Sequence, residues 1–263
     1  MKLGVNTVLF KAFPVKEAME AIRLAGYDGV ELSAIAGMCE HLVLDDDSGW
    51  QAIKDDAAEI GVELLSMEVA SLDEARLEKA FKAARFLGIP VVNVGPGGKM
   101  DDAESLLESI ETLRQRAELA AKYGVTLCCK AHVGCSIHDT PTTLAAMEAI
   151  GLPSFGVDMD PSHIYRAGEH PENALPQVVS RVRHIHIRDC KGNGPSPGVP
   201  MMQACGRGDI DLFGYFKALV DVNYQGPVCL EVIGPDQTKQ EAQAIASESF
   251  GYMNAILKKL GNR

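Results

Sequence analysis

Four apolar stretches in the second half of the chain end in side chains able to do acid, base or metal chemistry. They are Val125–His132 (VTLCCKAH), Phe155–Asp160 (FGVDMD), His184–Arg188 (HIHIR) and Val228–Ile233 (VCLEVI). In the first, Lys130 and His132 share a parity, so on an extended strand they face the same side, with His132 one pleat nearer the following loop. Asp158 and Asp160 share a parity in the second stretch, His184, His186 and Arg188 in the third, and Glu231 stands in the fourth. Charges at the ends of core strands are costly unless they pair or bind a metal, so these groups form either a salt-bridge network or a reactive site. His184 lies deeper in its strand and reads as a core histidine, and Asp158 as a hydrogen-bond acceptor. Arg188 could bind an anion or balance Asp189. His163 follows Asp160 by three residues and could face the same cavity. Glu31, in GVELS, is either a carboxylate near a substrate or the partner of a neighbouring base.

These groups can meet only if the strands that carry them are neighbours. Strand-like runs cover 4–9, 29–33, 63–69, 91–94, 125–132, 155–160, 184–188 and 228–233. Helical patterns lie between and after them at 15–25, 50–60, 73–87, 103–123, 142–149, 172–183, 212–220 and 240–260. Several helices run into a glycine before the next strand, as in RLAGYDGVELS, AEIGVELLSME, RFLGIPVVNVG, AKYGVTLCCKA and VNYQGPVCLEV, where a left-handed cap favours that residue. In TPTTLAAMEAI, Thr140 reads as the N-cap and Pro141 as the first helical residue. Strand and helix alternating through eight units imply a parallel sheet closed on itself: an α/β fold, a single (β/α)8 TIM barrel over residues 1–263. A doubly wound open sheet fits less well, because no glycine-rich dinucleotide turn follows the first strand. In such a barrel chemistry collects where strands end.

Composition narrows the partners. With 46% hydrophobic residues and a formal charge of −11, the chain can fill a substantial core but is a poor match for a phosphate backbone or an anionic membrane surface. No run reaches the ~18–20 apolar residues of a membrane span. The opening MKLGVNTVLFKAFP reads as a first strand rather than a secretory leader. The seven cysteines form no CxxC pair and read as reduced thiols. A cytoplasmic protein that binds a small molecule, with no nucleic-acid or membrane partner, is expected.

The succession of strand ends resembles the xylose isomerase-like barrels, which include sugar epimerases, hydroxypyruvate isomerase, inosose dehydratase and endonuclease IV. Many members end the fifth strand in Glu-x-His, the sixth in Asp-x-x-His, the seventh in His-x-Lys/Arg-Asp and the eighth in an apolar residue and Glu, with Gly-x-Gly-x-Ile/Leu-Asp before the seventh helix. This chain carries KAH, DPSH, HIRD, LEV and GRGDID at the corresponding places. The resemblance implies a divalent metal (Mn, Mg, Co or Zn) on Asp160, His186 and Glu231. It further implies His163 beside the site, Arg188 near the substrate, a sugar or polyol as substrate, and association of the chain with copies of itself. Lys130 departs from the pattern, standing where a fourth ligand, a glutamate, is expected.

An ammonium and a divalent ion ~4 Å apart repel by roughly 8 kcal/mol at an effective dielectric of ~20. A metal would therefore need Lys130 neutral or displaced. Asp, His and Glu are still a workable ligand set, able to polarise a carbonyl and stabilise an enediolate. The reading is an isomerase, epimerase or dehydratase/lyase with Lys130, Glu231 and His163 as catalytic groups and His132, Arg188 and Glu31 toward the substrate. A two-base 3-epimerase is disfavoured, because Glu231 alone remains of the expected pair of glutamates. Lys130 could instead supply the cation without a metal or form a Schiff base, and a non-catalytic sugar-binding protein is the third alternative. The Gly- and Pro-rich stretch Asn193–Asp211 is long for a βα connection and reads as a lid or specificity loop, with Met201, Met202 and Gln203 leaning over the cavity or meeting a neighbouring subunit. The turn VGPGGK offers amides to an anion, or simply leads into the next helix.

Overall fold

A computed structural model describes residues 1–263. Eight parallel strands form the barrel: β1 (Lys2–Asn6), β2 (Gly29–Ile35), β4 (Glu63–Glu68), β5 (Val91–Val94), β6 (Thr126–Lys130), β7 (Phe155–Asp158), β8 (Val182–Ile187) and β9 (Pro227–Leu230). Each pairs with the next, and β1 pairs with both β2 and β9, which closes the ring. A two-residue strand, β3 (Cys39–Glu40), runs antiparallel to the end of β2 outside the barrel. Most strand residues are buried on both faces, as expected of parallel strands sheathed by helices.

The sheath is α1 (Val15–Ala25), α2 (Trp50–Ile60), α3 (Glu74–Leu87), α4 (Ala103–Tyr123), α5 (Thr140–Ile150), α6 (Pro161–Arg166), α7 (Pro171–Val178), α8 (Leu212–Asp221) and α9 (Lys239–Lys259). Asp73, Asp102 and Thr238 cap α3, α4 and α9 by accepting backbone N–H groups, which satisfies donors the helix leaves free. Two boundaries differ from expectation. The N-cap of α5 is Asp139, not Thr140, because its carboxylate reaches the Thr142 N–H at 2.9 Å while the Thr142 hydroxyl accepts the Asp139 N–H. The left-handed residue after α8 is Asn223 (φ 54°), three residues before the glycine expected there. The helix expected over 172–183 stops at Val178, and the chain enters β8 at Val182 through a 3-10 turn. No helix is long and apolar enough to cross a membrane, and all seven cysteines are free thiols.

The segment between β8 and α8 is tied down at both ends. Asp189 accepts the N–H groups of Cys190 (2.9 Å), Gly206 (3.0 Å) and Ile210 (3.2 Å). The backbone passes so near that carboxylate that a Cβ on Gly208 would lie 2.1 Å from Asp189 Oδ1, so GRGD needs its second glycine for clearance. At the middle of the segment the buried Gln203 amide donates to the carbonyls of Gly198 (2.8 Å) and Ile233 (2.7 Å), and its oxygen accepts the Ile233 N–H (3.1 Å). Gln203 thus pins the loop to the end of the last barrel strand instead of reaching into the cavity. Gln203→Ala would leave those backbone groups without partners, at a cost of about 1–3 kcal/mol. Urea denaturation should register that loss, and limited proteolysis should cut faster within 190–210. An unchanged cleavage pattern would mean that the loop is held by other contacts.

Candidate active site at the barrel mouth

Inward-facing polar side chains occupy two levels of the barrel. At the floor, Glu31, Asp158, His184 and His186 are fully buried. His184 donates or accepts at both ring nitrogens, with Ser66 Oγ at 2.9 Å and Asp158 Oδ1 at 3.0 Å, and is a satisfied core histidine. His186 lies between two carboxylates: Nε2 contacts Glu31, and Nδ1 is 2.6 Å from Asp158 Oδ2. Burial opposes charge on His186, but Asp158 and Glu31 outweigh it and hold its pKa well above the ordinary histidine value. Glu31 also accepts from the amides of Asn6 (2.9 Å) and Asn93 (2.6 Å). Of the two readings of Glu31, the geometry matches the partner of a neighbouring base.

The upper level retains slight solvent exposure: 4% at Glu68, 5% at Lys130 and 3% at Glu231. Lys130 is the last residue of β6, so the strand stops two residues short of His132, which lies in the loop. Lys130 Nζ donates to Glu231 Oε1 at 2.8 Å and Glu68 Oε1 at 3.1 Å, and stands 3.3 Å from His186 Nδ1. Burial works against its charge, but the two glutamates more than compensate and raise its pKa above the usual lysine value. The carboxylates share that ammonium unequally. Glu231 also lies 3.0 Å from Arg188 Nη1; although burial opposes its ionisation, Lys130 and Arg188 hold it well below the carboxylate range. Glu68, with only the Asn6 amide as its other donor (2.6 Å), is pushed up to about 7 by burial and by the neighbouring Glu231.

Arg188 links this cluster to the start of α6. Its Nη2 donates to Asp160 Oδ2 at 2.8 Å and its Nε to Ser162 Oγ at 2.8 Å. The other Asp160 oxygen caps α6 through the Ser162 N–H. His163 is surrounded by donors: the Val133 N–H (3.1 Å) and Arg166 (2.9 Å) face Nδ1, while Arg188 (2.9 Å) faces Nε2. Burial, then Arg188, lowers its pKa well below the usual histidine value. The His132 ring rests on that of His163, centroids 4.0 Å apart.

A scan of known families matches residues 19–255 to the family described as xylose isomerase-like TIM barrel. The chain belongs to that family. An inosose dehydratase of Mesomycoplasma hyopneumoniae (strain 7448) is 24% identical over 160 residues, covering 55% of this chain and 52% of the relative. The match thus spans about half the length of such curated dehydratases. An inosose isomerase of Bacillus velezensis is 20% identical over 93% of this chain and 92% of its own. Among solved structures, one described as the IOLI protein with a bound zinc atom superposes with TM-score 0.80 at 19% identity, covering 98% of this chain and 99% of that one.

Within this xylose isomerase-like barrel, two trios place ligand-type atoms within 4.8 Å of one another: Glu31, His184 and His186, and Glu68, His186 and Glu231. Their spacing could hold a metal ion, but their partners do not suit one. In the second trio the Lys130 ammonium already contacts all three members, and in both trios His186 Nε2 is held by Glu31 while Nδ1 lies between Asp158 and the Lys130 ammonium. Asp160, expected as a ligand with His186 and Glu231, belongs to neither trio. It meets Glu231 only through the bridging Arg188 guanidinium. As arranged, these residues do not fit a divalent ion.

Sequence reasoning assigned no role to Glu68, although it ends a strand as Glu31 and Glu231 nearly do; applying the strand-end rule to β4 would have found it. The buried amides of Asn6 and Asn93, also unassigned, orient the glutamates. In VGPGGK the Lys99 N–H donates to Ser105, and the Gly97 carbonyl accepts from the N–H and hydroxyl of Ser136. Those bonds tie the turn to α4 and to the loop before α5.

Proposed function

We propose that this chain is an isomerase, epimerase or dehydratase/lyase that moves a proton at a carbon next to a carbonyl in a sugar-like or polyol substrate. One observation carries the reading: Glu68 and Glu231 flank the Lys130 ammonium at 3.1 and 2.8 Å, at the strand ends where this architecture places its chemistry. The inosose dehydratase and isomerase names of relatives support the substrate class. Glu68, titrating near neutrality, accepts the carbon-bound proton and returns it to carbon or to a departing hydroxyl. Lys130 donates to the oxygen on which negative charge develops, and Glu231 keeps that ammonium charged. Arg188 and His132 are assigned to the substrate hydroxyls.

His163, expected as a catalytic base, is surrounded by donors and serves better to position Arg188. Glu68, from β4, adds a second carboxylate beside Glu231, but both share one ammonium. A Schiff base would require a neutral Lys130, whereas two carboxylates favour the cation.

Deuterium incorporation from D2O into a panel of ketoses and cyclitol ketones tests the proposal. The native chain should exchange a C–H, and its kcat/KM should rise as pH passes about 7, as Glu68 ionises. Glu68→Gln should remove that limb and slow exchange by about 10²–10⁴-fold. Binding without exchange across the whole panel would identify a non-catalytic sugar-binding protein instead.

A further inference from the structure

We infer that the Lys130 ammonium is the resident cation of the barrel mouth, so that the protein works without a divalent metal and offers an N–H in the place where a metal would bind substrate oxygen. The inference rests on the proposed function for the identity of that oxygen, but its geometric basis is separate. Nζ lies among three groups spaced to ligate an ion, at 2.8 Å from Glu231, 3.1 Å from Glu68 and 3.3 Å from His186. An added divalent ion would compete with the ammonium for the same oxygens and be repelled by it. The remaining donors are committed too: Asp160 to Arg188 and the α6 cap, Glu31 and Asp158 to His186.

The same geometry provides the acidic hydrogen. An ammonium has three N–H groups, and Lys130 uses two on Glu231 and Glu68. The third points toward His186 Nδ1 at 3.3 Å, the longest of its three contacts. A carbonyl or enolate oxygen of a ligand would displace that contact and take the N–H. No covalent bond to Lys130 and no change of oxidation state is involved; the proton taken from carbon stays on a carboxylate until it is returned.

Metal affinity tests this independently of turnover. Chelator-treated native protein is titrated with MnCl2 and ZnCl2 by calorimetry, beside elemental analysis of the untreated protein and assays with and without EDTA. The native chain should show no stoichiometric metal, and any exchange activity should persist in EDTA. Lys130→Glu removes the ammonium and adds a carboxylate; it should bind one equivalent of metal at least about 100-fold more tightly than the native chain. Lys130→Gln, which removes the charge and keeps a polar group, should gain affinity to a smaller degree. One equivalent bound by native protein in the micromolar range or tighter would overturn the inference. It would also be overturned if folded Glu and Gln variants bound metal no better than the native chain. If the Glu variant does not fold, the native titration and the Gln variant still decide. Absence of activity with absence of metal binding would count against the proposed function and leave the cation assignment standing.

Discussion

Lys130→Met is expected to destabilise the protein by about 3–5 kcal/mol, because it leaves Glu68 and Glu231 facing one another in a buried site without their shared cation. Methionine keeps most of the stem's volume, so a cavity contributes little and the electrostatic loss dominates. The size should depend on pH with a definite sign. Without the ammonium, the folded-state pKa of at least one glutamate rises further above its unfolded value. A raised carboxyl binds more protons in the folded state, so stability is retained at low pH and lost as pH rises through the folded pKa. Urea denaturation of native and variant protein should therefore show a larger gap at pH 8 than at pH 5. Adding Glu68→Gln to Lys130→Met removes the repulsion and should recover part of the loss, and a double-mutant cycle would give the coupling. A small, pH-independent loss for Lys130→Met would show that the ammonium is not closely paired. Turnover should fall with the same substitution, since the donor to the developing oxyanion is lost.

The parts of this site legible in the sequence are those that follow from local pattern and barrel topology. Alternating parity placed Lys130, His186 and Glu231 inside the barrel, and parallel closure brought β6, β8 and β9 to one end. Which charges pair was not legible. Asp160 satisfies a ligand pattern and a helix-cap pattern equally well, and the choice is made by Arg188, whose guanidinium reaches both Asp160 and Glu231. Asn6 and Asn93 are neutral amides on early strands with no motif around them. Their importance arises only when β1 and β5 close beside β2 and β4 and their N–H groups meet Glu31 and Glu68. Local boundaries failed for a similar reason. Asp139 outcompetes Thr140 as a cap through a reciprocal bond with Thr142, and Asn223 takes the left-handed position because an asparagine tolerates that conformation nearly as well as glycine.

His186 should be an imidazolium with both ring nitrogens protonated well above the usual histidine pKa of 6.5. Its raised folded-state pKa means that its contribution to stability is complete below the unfolded pKa and is lost as pH climbs through the folded value. Glu31 is depressed, though burial opposes it, because the charges of His186 and His184 win; Asp158 is depressed well below its usual value for the same reason. Their contribution is present above their unfolded pKa values and disappears as pH falls through the folded ones. Stability should accordingly have an acid limb from the carboxylates and an alkaline limb from His186, and His186→Gln should flatten the alkaline limb. Glu31→Gln removes one of the two charges that hold the imidazolium, breaking a pair with no solvent exposure, and should cost about 3–5 kcal/mol. It should also move the alkaline limb to lower pH, since Asp158 alone holds the proton less firmly. Nitrogen-15 chemical shifts of the His186 ring are the direct check: two protonated nitrogens at pH 8 support the floor described here. One bare nitrogen at that pH would mean that the ring is neutral and that Nδ1 accepts from Lys130 at 3.3 Å, a bond any substrate oxygen would have to displace.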